Sequence, residues 1–111
     1  MFGSMILIAA LLQSPLAQVD SSRAAFTKCL RQEVKKSLDA KMSPEDFASS
    51  LVKKCEPTRN SFRAALIAAD RASGDSEATA TENADLQIED YHQNFADKFK
   101  DYSETNTAPA D

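Results

Sequence analysis

The stretch CLRQEVKKSLDAKMSPEDFASSLVKKC, residues 29–55, decides the fold. It begins and ends on the only two cysteines of the 111-residue chain, and Cys29 and Cys55 each lie 13 residues from Met42. Directly after Met42 come Ser43, Pro44, Glu45 and Asp46, a helix-entry signal. Ser43 serves as N-cap, and Pro44 takes the first helical position, where its missing N–H costs nothing. Glu45 and Asp46 face the positive end of the helix, and Asp46 can close a capping box with Ser43. In an antiparallel helical hairpin, positions symmetric about the turn face each other. Leu38 with Phe47, Val34 with Leu51, and Leu30 with Cys55 all share a centre near residue 42. The spacing therefore predicts a hairpin stapled by a Cys29–Cys55 disulfide, which in the loop-entropy account contributes roughly 3–4 kcal/mol.

N-terminal to the turn, Phe26, Leu30, Val34 and Leu38 recur every four residues, with Cys29 at the edge of their face. Lys28, Arg31, Lys35 and Asp39 fall on the opposite side, so an amphipathic first helix is expected from Asp20 or Ser21 to Ala40, capped by Ser21 or Ser22. On the other side of the turn, Phe47, Leu51, Val52 and Cys55 share an arc with Phe62, Ala65, Leu66 and Ala69. Because the phase survives Pro57, one long kinked helix from Pro44 to about Ser73 is expected, ended by Gly74. The alternative is a new helix with Pro57 at its first position. Residues 74–83 read as a linker or a weak helical lead-in. A third helix is expected from Ala84 to Tyr102, marked by Ile88, Tyr91, Phe95, Phe99 and Tyr102. Residues 103–111 read as a disordered tail.

Two Gly, four Pro and no Trp, with no sustained alternation and no Asn-Gly or Asp-Gly turn, favour helix over strand. The expected fold is all-α: a disulfide-stapled antiparallel helical hairpin plus a third helix, a three-helix bundle. Met5 to Leu12 is an apolar run of eight residues followed by a small residue at Ala17, so residues 1–17 read as a secretory signal peptide. The run is too short for a transmembrane span, which needs about 20 apolar residues. Met1 to Ser4 lacks the usual Lys or Arg of such a signal. Residues 18–102 form a single domain, small enough to gain from a staple. Export would supply the oxidising compartment that a disulfide needs, periplasmic or secreted.

Charge is divided unevenly. Residues 18–74 carry 11 Lys or Arg against 7 Asp or Glu, while residues 75–111 carry 2 against 10. The acidic third helix is expected to pack on the basic hairpin, closing the field internally. A sharper reading has Lys28, Arg31, Lys35, Lys36, Lys53 and Lys54 form a face for an anionic partner, masked by the third helix until displaced. The stripe Tyr91, Phe95, Phe99 and Tyr102 reads first as core, with a partner-binding helix as the alternative. Glu82, Asp85, Glu89 and His92 share one helical face at steps that suit a divalent cation, but an acidic solvated face has the same pattern. No metal, cofactor or catalytic residue is therefore assigned. No nucleophile is placed beside His92 by any motif, no Gly-rich phosphate loop exists, and the cationic residues lack the interleaved aromatics of a nucleic-acid surface.

Cys29, the Ser-Pro-Glu-Asp-Phe entry at 43–47, Cys55 followed by Pro57, and the Ala-rich run from Phe62 to Ala72 resemble a loose group of small exported bacterial α-helical proteins with one cysteine pair. The likeness covers residues 20–73 and implies a periplasmic or secreted helical protein, with no active-site residue carried over. The expected function is non-enzymatic: a structural or protein-interaction role in the cell envelope. The alternative is a stress or inhibitor protein whose basic hairpin binds an anionic envelope component.

Overall fold

The computed structural model describes residues 14–109, which are helical and contain no strand. Among the described residues there are four helices rather than three: α1, Pro15–Asp39; α2, Pro44–Lys54; α3, Glu56–Ala72; and α4, Glu77–Thr105. The expected signal peptide lies outside the described residues except for its last four, which belong to the start of α1. No helix among the described residues is long and apolar enough to cross a membrane.

The first helix begins earlier than its hydrophobic period suggests. Ser14 accepts the Ala17 N–H at 3.1 Å and Pro15 follows it, the same grammar as Ser43-Pro44. Ser21 and Ser22 are therefore not caps. Their hydroxyls donate back to the Gln18 carbonyl from inside the helix. The added turn buries Val19. At the other end, Lys41 adopts a left-handed φ of 56° and the Met42 N–H reaches the Ser37 carbonyl, closing α1 with a Schellman-type turn. Ser43 then caps α2 by accepting the Asp46 N–H at 3.2 Å.

The second leg is two helices, not one kinked helix. Cys55, at φ −108° and ψ 32°, leaves the helical region and separates α2 from α3. Pro57 occupies the second position of α3, where no backbone donor is needed. The apolar phase carries across this break because only one residue departs from helical geometry. Gly74 ends the leg as expected, at φ 104°, with the Asp75 N–H on the Asp70 carbonyl.

The acidic helix is longer than predicted at both ends. Ser76 caps it by accepting the Thr79 N–H, so most of the expected linker is helical and Ala80 and Ala84 are buried ahead of Ile88. The expected tail is helical through Thr105, where Asn106 at φ 58° ends it. Residues 110 and 111 lie outside the described residues.

One core joins all four helices through Phe26, Leu30, Phe47, Leu51, Phe62, Leu66, Ile88 and Phe99. The disulfide sets Cys29 against Cys55 as expected, but the packing differs from the simple layers. The longest interface of α1 is with α3, and α2 leans mainly on α4. Phe47 accordingly stacks on Phe99, ring centroids 4.1 Å apart and planes 4° from parallel, while Leu38 is only partly buried.

Candidate functional site

The staple is present. Cys29 and Cys55 are bonded, with Cα atoms 6.0 Å apart and a sequence separation of 26. Cys55 is fully buried at the α2–α3 break, and its carbonyl accepts from the Arg59 N–H at 2.8 Å and the Thr58 hydroxyl at 3.1 Å. The bond thus ties the middle of α1 to the one irregular residue of the second leg. Both sulfurs are consumed, which leaves no thiol nucleophile.

The aromatic stripe of α4 is interior. Phe99 is 0% exposed and Phe95 7%, while Tyr91 and Tyr102 are half-buried against the core. Tyr91 packs edge-on against Phe26 and Phe62, at 5.9 and 5.6 Å between centroids. These rings are occupied in the fold and are not a free face for a partner helix.

His92 lies beside the same cluster, edge-on to Phe26 at 5.9 Å. Its Nε2 is buried and has no hydrogen-bond partner. Burial, reinforced by the Arg59 charge, holds the imidazole below its ordinary pKa, so it is neutral at pH 7. It borders an open cleft of about 450 Å³ where α4 meets the α2–α3 junction. One ion pair spans it. Arg63 grips Asp85 with bonds of 2.7 and 3.3 Å, which raises the pKa of the guanidinium and lowers that of the carboxyl. Arg59 donates to the Val52 carbonyl and to Asn60. Glu82, Asp85, Glu89 and His92 do share a face of α4, but among the described residues no three such groups converge on a point that could hold a metal ion.

The expected basic face divides. Lys28, Arg31 and Lys35, with Gln32, line one shallow concavity of about 380 Å³ on α1. Lys36 lies toward the Cys29 edge of that helix and pairs with Glu33 at 3.7 Å. Lys53 and Lys54 are exposed in the last turn of α2 and do not line the α1 concavity. The acidic helix does not mask this surface: Lys28, Arg31, Lys36, Lys53 and Lys54 are exposed, because α4 docks through its rings. Its carboxylates Glu82, Asp90, Asp97 and Glu104 face solvent. Internal neutralisation is local, through Arg63 and Asp85. One grouping escaped the sequence. Arg31 of α1 and Lys98 of α4 line a second cleft, together with Val34, Phe95 and Tyr102. Helical period places each on its own helix but does not say which edges meet.

No protein-family model matches this chain, and neither a curated protein nor a solved structure shows significant similarity to it.

Proposed function

We propose that this chain is a non-enzymatic, exported helical protein of the bacterial cell envelope that acts by presenting a rigid surface to a partner. Its carrying observation is the division of the stapled hairpin: rings and disulfide inside, charged side chains outside on a helix whose position the staple fixes. Oxidised cysteines fit a periplasmic or secreted location. The test is to recover the protein from its native compartment without reductant and measure its intact mass. A form two hydrogens lighter than the dithiol, found in the periplasm or medium, is expected. Cytoplasmic protein with free thiols would contradict the reading.

A second reading, an anionic partner on the basic hairpin, draws on the open concavity of Lys28, Arg31 and Lys35. It dispenses with masking, since Lys28 and Arg31 are exposed. Co-sedimentation with phosphatidylglycerol and phosphatidylcholine vesicles separates it from the first. Binding to the anionic vesicles alone, lost as salt rises from about 50 to about 500 mM, supports it. Equal binding to both vesicles, or to neither, removes it.

A further inference from the structure

The outward faces of α1 and α4 carry opposite charge at the same spacing. On α1, Ala24, Lys28, Arg31 and Lys35 follow one another at steps of four, three and four. On α4, Leu86, Asp90, Gln93 and Asp97 follow at the same steps. Each set forms one stripe along its helix, and Lys28 stands about 10.5 Å from Lys35, as Asp90 does from Asp97. All these side chains are exposed except Lys35, which is half-exposed. Leu86 leaves 55% of its surface in water, on a helix whose other large apolar side chains are buried or half-buried. Among the described residues Lys28, Arg31, Asp90 and Asp97 form no ion pair within the chain. The Gln93 amide donates to Asp97 at 3.0 Å, which leaves its own oxygen open to a donor. Laid side by side in the same direction, the stripes set Lys28 against Asp90, Lys35 against Asp97, Arg31 against the Gln93 oxygen and Leu86 against Ala24. Laid in opposite directions, they set Lys35 against Leu86 and Asp97 against Ala24, and only Arg31 meets a carboxylate. Within one chain both stripes face away from the shared core and do not meet. Single exposed ion pairs contribute little, so a contact of this kind is weak and salt-sensitive.

We propose that the basic stripe of α1 docks on the acidic stripe of α4 in a second copy of this chain. This rests on the first reading, in which the chain presents a rigid surface to a partner, and names that partner. The test is sedimentation equilibrium of the full-length, oxidised protein at up to about 1 mM, where a complex of millimolar Kd is populated. Species heavier than the monomer are expected at roughly 50 mM salt, with association at least about tenfold weaker at roughly 500 mM. Lys28→Glu with Arg31→Glu turns the α1 stripe acidic, and Asp90→Lys with Asp97→Lys turns the α4 stripe basic, so each variant alone should be monomeric. Mixed in equal amounts they should associate again, because one supplies an unaltered α4 stripe and the other an unaltered α1 stripe. The mixture is expected to associate at least about tenfold more tightly than either variant alone. Leu86→Gln, which leaves the charge unchanged, should weaken the association severalfold. A monomer at every concentration, or association that survives either charge reversal, overturns the proposal. So does a mixture that stays monomeric while each variant keeps the circular dichroism of the unaltered protein. Vesicle binding by a protein that stays monomeric makes the lipid surface the partner instead. None of these outcomes touches the surface-presenting reading, which fails separately, on cytoplasmic protein with free thiols.

Discussion

Phe99→Ala tests how the second leg is held. Phe99 has no exposed surface, and its ring lies parallel to that of Phe47, 1% exposed, at 4.1 Å. Truncating a buried phenylalanine costs about 3–5 kcal/mol, and the ring pair adds about 0.5–1.5 kcal/mol that should appear as coupling. A domain of this size holds about 5–15 kcal/mol in total, so the variant should lose about a fifth or more of its stability. Urea unfolding followed by far-ultraviolet circular dichroism reads this directly. Leucine substitutions at Phe47 and Phe99, singly and together, give the coupling; a parallel cycle of Leu38→Ala with Phe47→Leu gives the pairing expected from hairpin symmetry alone. The Phe47–Phe99 coupling should exceed that of Leu38 with Phe47, because α2 leans on α4. A loss below about 1 kcal/mol for Phe99→Ala, or the reverse order of couplings, would refute the packing described above.

Serine at Cys29 or Cys55 should remove the same staple, so the two variants should lose similar stability, roughly 3–4 kcal/mol, and the double variant little more. Thermal melts that show additive losses would mean the two sulfurs are not coupled. Stability should also fall on mild acidification. The folded His92 has a lowered pKa, so below pH about 6.5 the unfolded chain takes up a proton that the folded chain resists. The loss begins as pH drops through the unfolded value, runs at no more than about 1.4 kcal/mol per pH unit, and levels off once the folded imidazole is protonated too. His92→Leu should flatten the profile between pH about 7 and 5, and an unchanged slope in urea titrations would show that other groups cause it. The Asp85 carboxyl, lowered by Arg63, acts in a separate window: its contribution is present above the ordinary carboxylate range and is lost in stronger acid.

Local chemistry made much of the fold legible. The cysteine spacing, the Ser43-Pro44 entry and Gly74 at positive φ each specify backbone geometry through a few adjacent residues, and each is found where expected. The failures share a cause. Ser14-Pro15 carries the same entry signal as Ser43-Pro44 but sits beside an apolar run that reads as a signal peptide. Ser76 is an adequate cap hidden in a polar stretch, with Ala80 and Ala84 too small to announce a buried face. The break at Cys55 leaves no mark on the apolar phase, because a single non-helical residue barely shifts it. For the candidate site, period assigned the α4 rings to the core and the lysines to solvent. Which edge of α1 meets α4 is a tertiary fact, so the cleft that Arg31 and Lys98 both line was out of reach.

The anionic-partner reading places binding on the outward face of the stapled α1 helix, and charge reversal on opposite faces tests it most directly. Lys28→Glu with Arg31→Glu alters the α1 face, and Asp90→Lys with Asp97→Lys alters exposed positions on α4. Binding of both variants to phosphatidylglycerol vesicles is measured at low salt, with the disulfide intact. The account predicts that the α1 variant loses binding and the α4 variant keeps it. An α1 variant that binds as well as the unaltered protein would contradict the account.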